Sequence, residues 1–462
     1  MGNRIFILRI IALTFIALSV ITGCSSVDEI EVNPVRPPEP TSVETAEPPY
    51  RSPAPTPDAT PEPSAAPSPT PDEIPEYIVL GGEKISTAET ELYIVIDSEQ
   101  VFAAETRRYI YITWETAVAD IAQLRHMTNL QKLSVSYYRY PEFSSEISDI
   151  SALAGLTSLD SLRLVGHSIS DISALAGLTS LDVLELGCNY ISDISALAGL
   201  TNLTKLDLEW NEISDISALA GLTKLSDLNL GRNRISDTSV LAELKNLTVL
   251  RFYDIDNEIS DGSAFIDTIA QLINLNNLVI GGHQISDISA LAGLANLTEF
   301  GISFSQVSDI SALGGLTGMT KLGLRGSGIS DIGALAGLVN LNELQIEYCQ
   351  ISDISALSGL TNMRYLDLIS NKISDISALA GLVDLFNMSL SYNQVSDINA
   401  LVNLTNLSFL FLIDNLVSDI SPLSNHANLE RVTLDNNPIN DWSPVAHVDY
   451  VSGRPWDWDA RP

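Results

Sequence analysis

Cations are scarce in this chain: 24 Lys and Arg stand against 58 Asp and Glu, a formal charge of −34. So acidic a chain repels phosphate backbones and anionic headgroups, which excludes nucleic acid and charged lipid surfaces as electrostatic partners. Aromatic residues make up only 6%, so a core must be packed from Leu, Ile and Ala. Three cysteines, at positions 24, 188 and 349, are too few and too scattered for a disulfide scaffold. No Gly-rich phosphate loop, H-E-x-x-H or paired-cysteine motif is present, and the five histidines have no nucleophile at a recognisable spacing. No enzymatic activity, cofactor or metal site is therefore expected. Proline is almost confined to one stretch, with 15 of 21 within residues 25–76. Long apolar runs are also missing, apart from one at the start.

That run, Ile10 to Ile21, follows Arg4 and Arg9 and is too short for a comfortable membrane span. It has the make-up of a signal-peptide core and ends in Ile21-Thr22-Gly23-Cys24. The ending resembles the bacterial lipobox, which implies acylation of Cys24 and residues 1–23 as a lipoprotein signal peptide. The expected location is extracytoplasmic, at the cell surface, held to the bacterial cell membrane through the lipid anchor only. Residues 24–76 follow as a Pro-rich disordered tether with no means of forming an apolar face. In polyproline II form its contour reaches roughly 160 Å.

From about residue 120 the sequence repeats. One unit reads Ile169-Ser170-Asp171-Ile172-Ser173-Ala174-Leu175-Ala176-Gly177-Leu178 and continues to Tyr190. Its aspartate recurs at 149, 171, 193, 215, 237, 261, 287, 309, 331, 353, 375, 397, 419 and 441, and eleven of the thirteen intervals are 22 residues. The exceptions are 24 and 26 residues, between 237 and 287. Each unit contains L-x-x-L-x-L-x-x-N-x-I, as in Leu203, Leu206, Leu208, Asn211 and Ile213, which is the leucine-rich-repeat signature. The L-x-L step reads as a short strand with alternate side chains buried. The Asn is expected to bond backbone groups of neighbouring coils, forming a ladder, and Ser-Asp to cap a short helical turn. The glycine after that turn (Gly177, Gly199, Gly221) suits a left-handed residue.

The predicted fold is thus an α/β repeat solenoid. A leucine-rich-repeat arc carries a parallel sheet on the concave face and short helical turns on the convex side, capped at both ends. Its expected divisions are an N-terminal cap over 77–129, about fourteen repeats over 130–439, and a C-terminal cap and tail over 440–462. The spelling resembles the 22-residue repeats of internalin-type bacterial surface proteins. The segment after the last coil, with Trp442, Trp456 and Trp458, looks instead like the closing cap of clostridial leucine-rich-repeat proteins. The resemblance implies binding rather than any particular host-directed role.

Several features invite chemistry. The aspartate column could be a calcium rail, but calcium takes six to eight oxygens and a single file supplies few, so capping is the preferred reading. His167, His283 and Cys349 occupy the ladder position and read as structural substitutes, while His126, His426 and His447 fall in caps or turns. Seven coils separate Cys188 from Cys349, too far for a disulfide. The N-x-S/T sequences at Asn202, Asn246, Asn296 and Asn403 follow from the repeat spelling.

The outward x positions of the strands define the expected partner-binding surface. One patch, Glu185, Asp207, Glu209, Trp210, Asp227 and Asp254, is acidic with one large aromatic. The other holds Tyr348, Tyr365, Ile369, Tyr392, Phe409, Phe411 and Ile413; clustered exposed apolar residues mark contact sites, although strand propensity also favours such residues there. A secondary candidate is the insertion with Tyr137, Tyr138, Tyr140 and Phe143. The expected partner of this monomer is a protein of unknown identity, with a cell-wall glycan as the alternative.

Overall fold

The computed structural model describes residues 75–80, 83–96, 109–112, 121–137, 147–253, 257 and 259–455. The signal and tether readings, Cys24, and Tyr138, Tyr140, Phe143, Asp254, Trp456 and Trp458 all lie outside these residues. Among the described residues, no helix is long and apolar enough to cross a membrane.

The chain enters through an antiparallel hairpin of β1 (Tyr77–Leu80) and β2 (Glu83–Ser86). Next come β3 (Glu91–Ile96), β4 (Tyr109–Ile112) and β5 (Lys132–Tyr137). The repeats then supply β6 (Ser161–Val165), β7 (Val183–Glu185), β8 (Lys205–Asp207), β9 (Asp227–Asn229), β10 (Val249–Phe252), β11 (Asn277–Gly281) and β12 (Glu299–Ser303). They continue with β13 (Lys321–Arg325), β14 (Glu343–Glu347), β15 (Tyr365–Asp367), β16 (Asn387–Ser389), β17 (Phe409–Phe411), β18 (Arg431–Thr433) and β19 (Tyr450–Ser452).

From β5 to β19 every strand pairs in parallel with the next in sequence, each coil directly in register with its neighbour. Only the N-terminal end departs from this order: β3 lies between β4 and β5 and pairs in parallel with both. Leu92-Tyr93-Ile94 therefore belongs to the sheet, with Leu92 and Ile94 buried in the same continuous core as the repeats.

One coil shows why the sequence winds this way. Leu197, Leu200, Leu203, Leu206, Leu208, Ile213 and Ile216 are all buried, each side chain worth roughly 1.5–3 kcal/mol when removed from water. No coil can bury these positions alone, so stacking is what stabilises the rod. On the convex side the helical element is a 3₁₀ turn, such as Ser195–Leu197, rather than an α-helix. Asp193 Oδ1 accepts from the Ser195 N–H at 2.8 Å. All fourteen aspartates make this bond two residues ahead, at 2.7–3.0 Å. The column therefore closes turns, each carboxylate taking the N–H at the start of its own 3₁₀ or α-helical turn.

The asparagine ladder is continuous where Asn is present. Asn211 Nδ2 donates to Leu186 O at 3.0 Å and Leu208 O at 3.1 Å, while its Oδ1 accepts from Ile191 N at 3.0 Å. His167 does take a ladder place, buried with Nε2 3.0 Å from Val135 O, and Cys349 Sγ lies 3.4 Å from Glu347 O. His283 does not, its side chain being exposed, and the Ile285 N–H, which a ladder residue on the next coil would take, bonds Gly282 O at 3.2 Å instead. A backbone turn replaces the side-chain bond there. His426 differs from its reading as a turn residue by filling a core leucine position, fully buried, with Nε2 3.0 Å from Leu401 O.

The glycine expectation is corrected. Gly177, Gly199 and Gly221 are not left-handed; the positive φ values fall instead on the residue just ahead of the ladder residue, as in Cys188, Trp210, Arg232, Phe304, Tyr348, Ser370, Tyr392, Asp414 and Asn436. The 3₁₀ turn runs on into further right-handed turns, with Leu200 N bonding Leu197 O and Leu203 N bonding Leu200 O, so it needs no left-handed stop. The sharp reversal lies where the strand leaves the sheet.

The longest coil contains the α-helix α1 (Gly262–Ile269), capped by Asp261, whose side chain accepts from Ser263 N and Ala264 N. Phe265 packs on Phe252 with ring centroids 5.0 Å apart. Gly262 is required by close approach, since a Cβ would lie 2.0 Å from Gln284 O.

Candidate binding face

Counting each unit from the first leucine of L-x-x-L-x-L-x-x-N, so that Trp210 is position 8, positions 3, 5 and 7 project from the concave side of the sheet and the left-handed position 8 forms its rim. The two patches expected from the sequence behave differently.

The acidic patch is largely self-satisfied. Glu185 is bound by Lys205 at 2.6 Å and by Arg163, and Arg251 pairs with Asp227 at 3.0 Å. Burial alone would push the Glu185 carboxyl up, but the bond from Lys205 and the charge of Arg163 outweigh it and hold its pKa below the ordinary value. Glu209 is not on offer to a partner. It is buried, taking the Tyr253 hydroxyl at 2.5 Å and Asn229 Nδ2 at 3.1 Å, and burial raises its pKa, as it does that of Asp207. Trp210 sits on the left-handed rim, with the Arg232 guanidinium 4.5 Å from its ring.

The aromatic patch is a packed file with exposed rims. Tyr348 and Tyr392 project from left-handed positions and are 53% and 54% exposed. Tyr365, Ile369, Phe411 and Ile413 are half-buried on the strands or just beyond them. Phe409 is corrected from exposed contact to packing residue at 9% exposure. Its ring meets Phe386 edge-on at 5.4 Å, and Phe386 meets Tyr365 at 6.1 Å. Phe386 comes from position 2 of its unit, where most other coils carry Thr, Ser, Asn or Asp. Tyr137 lies at the end of β5, and only its backbone is described.

Phe304, Arg325, Arg431 and Tyr450, besides Phe386, went unrecognised in the sequence. Phe304 and Tyr348 lie on either side of Arg325, whose guanidinium is 5.7 Å from one ring and 5.5 Å from the other. Arg325 also pairs with Glu347 at 3.5 Å. Near the C-terminal end Arg431 stacks on Tyr450 at 4.3 Å. Reading the rim position as a column of its own would have found Phe304.

Burial and then the Glu347 charge push the Asp367 carboxyl up to about 7, and burial likewise raises Glu343 and Glu347. This part of the face holds more carboxylate than its cations neutralise.

On the flank where the strands begin, a second ladder appears. Asn202, Asn246 and Asn296 donate to Thr179 O, Thr223 O and Ile273 O at 2.8–3.0 Å, so these side-chain amides already serve the fold. Toward the C-terminal end this flank opens into a groove of about 830 Å³ lined by Phe386, Asn406, Asn428, Glu430 and His447 among others. Cys188 and Cys349 form no disulfide.

Models of leucine-rich repeats match residues 158–213, 201–243 and 339–381. An internalin from Listeria monocytogenes is 39% identical, with 62% of this chain and 84% of that one covered and a TM-score of 0.57. A leucine-rich-repeat protein of Leptospira interrogans is 20% identical over 71% of this chain and 85% of that one, with a TM-score of 0.59. A plant peptide hormone receptor in complex with RGF2 is 20% identical, covering 74% of this chain and 65% of that one, at a TM-score of 0.51. The latter two show the fold alone. No curated protein matches the chain.

Proposed function

Because this chain belongs to the internalin-type leucine-rich-repeat family, we propose that it is a lipid-anchored, extracytoplasmic binding protein whose concave face recognises a protein partner, as a surface receptor or adhesin. The observation that carries the reading is the contrast along that face. The ladders and caps satisfy the solenoid's own polar groups, yet Tyr348, Tyr392, Phe411 and Ile413 stand at its concave side and rim beyond what the core requires. Exposed aromatics held on a rigid sheet lose little entropy on binding, which is what makes such residues contact centres. The chain's acidity favours a basic partner surface and faster encounter with it.

Anchoring rests on the Ile21-Thr22-Gly23-Cys24 ending and the tether on the proline-rich run after it. Labelled palmitate should be incorporated by the native chain and not by Cys24→Ala, which should also be released from membranes; a Cys24→Ala chain that stays labelled and membrane-bound refutes the anchor.

To test the face, residues 77–462 serve as bait against envelope extract, with and without protease treatment of the extract. Capture should vanish after protease and with a Tyr392→Ala/Phe411→Ala bait. Phe409→Ala is unsuitable, since it would open the aromatic file rather than remove a contact. Capture that survives both treatments refutes the protein-receptor reading. The second reading, an envelope module holding wall glycan, is favoured by the flank groove, where the half-buried Phe386 ring lies among amides and a carboxylate. Competition by soluble glycan fragments, and its loss in Glu430→Gln, would select that reading instead.

A further inference from the structure

We propose that Asp367, Ser389 and Phe411 form a seat for one arginine or lysine side chain of the partner protein, an assignment that rests on the concave-face reading. The three residues stand directly in register on β15, β16 and β17, so they succeed one another at about 4.8 Å across the sheet. Together they present a carboxylate, a hydroxyl and an aromatic ring in one row.

Two independent observations point to a missing cation. The first is charge. Glu347 and Asp367 lie on adjacent strands, and Arg325 serves Glu347 at 3.5 Å while held between Phe304 and Tyr348. Asp367 accepts only the backbone Ile369 N–H, at 3.0 Å, and its carboxyl is pushed up to about 7, first by burial and then by Glu347. A second cation brought to Asp367 would relieve both. The second observation is the hydroxyl. Ser389 is only 6% exposed and its Oγ has no hydrogen-bond partner. Burying a hydroxyl unpaired is unfavourable, and nothing in the fold requires it there, since serine here could be alanine without disturbing the ladder or the core.

The walls suit a long cationic side chain. Ile369 and Ile413 are half-buried beside the row and would pack the aliphatic stem, as long basic side chains allow. The head group would then meet the Asp367 carboxylate, donate to Ser389 Oγ and lie against the Phe411 ring, which turns aside to admit it. A metal ion is disfavoured because no group of three ligands exists among the described residues. A second copy of so acidic a chain would be repelled. Thr433 provides an internal control: its Oγ1 is equally unpartnered, on the other side of Phe411, but the strand beyond it presents Ser452 rather than a carboxylate.

The test uses the full chain with labelled isoleucine methyl groups, titrated with Ac-Ala-Ala-Arg-Ala-Ala-Ala-NH2 and with its citrulline analogue, which keeps the shape and loses the charge. The arginine peptide should shift the Ile369 and Ile413 methyls and bind at least about tenfold more tightly than the citrulline peptide. It should also lower the apparent pKa of Asp367. Ser389→Ala should weaken it about tenfold without lowering the melting temperature, and Thr433→Val should leave it unchanged. Equal binding of the two peptides, an indifferent Ser389→Ala, or equal loss in Ser389→Ala and Thr433→Val overturns the seat. Methyl shifts that persist in those cases would leave the concave face as the binding surface, whereas failure of that reading appears in the bait experiment, as capture indifferent to Tyr392→Ala/Phe411→Ala.

Discussion

Replacing Asn393 by alanine removes one rung of the ladder and nothing else of size. In the native coil Asn393 Nδ2 donates to Leu368 O at 2.9 Å, Leu390 O at 3.0 Å and Ser391 O at 3.3 Å, and Oδ1 accepts from Ile373 N at 3.0 Å. Alanine leaves the Ile373 N–H facing a dry interior, while the Leu368 and Leu390 carbonyls keep the amides of Asn371 and Asn415 as donors. An orphaned buried group costs about 1–3 kcal/mol, which is the expected loss if no water enters. In a solenoid this loss should stay near the lesion. Amide exchange measured by mass spectrometry should therefore accelerate in peptides spanning 363–417 and remain unchanged near 181–235. The reciprocal change is Ser305→Asn: the serine there accepts from Val307 N only at a long 3.4 Å, and a longer amide should slow exchange locally. If Asn393→Ala loses less than about 1 kcal/mol, or if protection falls evenly along the rod, the ladder is not what holds neighbouring coils together.

Burial holds the His167 pKa down at about 4 against an ordinary 6.5. The unfolded chain thus binds more protons between those values, so stability present above pH 6.5 should fall as pH drops toward 4, by up to about 3 kcal/mol; His167→Asn should flatten that slope in acid denaturation curves. Asp367 runs the other way: with its folded pKa raised to about 7, stability declines as pH rises from about 4 to about 7. Asp367→Asn should therefore melt higher than the native chain at pH 8 while binding the arginine peptide less well. The turn-closing Asp193 is held low mainly by the Ser195 N–H, so its contribution is present at neutral pH and is lost only as pH falls through its lowered value; Asp193→Ala should speed exchange at Ser195 at pH 7, by a margin that shrinks as the pH is lowered. Cys349→Asn should raise local protection by restoring an amide to a rung where sulfur now stands 3.4 Å from Glu347 O.

Features repeated in every coil were legible because one physical requirement dictates them fourteen times. The aspartate spacing named the turns, the L-x-L step named the strands, and the recurring Asn named the ladder. What escaped depends on neighbours. Phe409 looked exposed by its parity on β17, but Phe386 arrives from an adjacent coil at a position usually held by small polar residues and covers it. Glu209 looked like part of an open acidic patch until Tyr253, two coils on, reached back to it. His283 shared the ladder's count but not its geometry: the backbone turns at Gly282, where φ is positive, and the imidazole stands exposed. The order β4, β3, β5 has no periodic signature at all. Handedness was misplaced for a related reason: glycine marks where a left-handed residue is easy, whereas here the rim imposes that conformation on Trp210, Tyr348 and Tyr392.

A rod of near-identical coils faces a problem of identity while it forms. Because most units are 22 residues long and share the same spelling, a chain paired one coil out of step would still stack leucine on leucine, and such a mistake would be slow to correct. The coil carrying α1 breaks that degeneracy. It is the one place where Phe265 meets Phe252 and where Gly262 must pass under the Gln284 carbonyl, so a slipped neighbour could not accept it. The irregular coil thus acts as an index mark for the whole assembly, fixing which copy of the repeat belongs beside which. Moving it by one unit should trap the chain in mispaired forms that have the right secondary structure and the wrong surface.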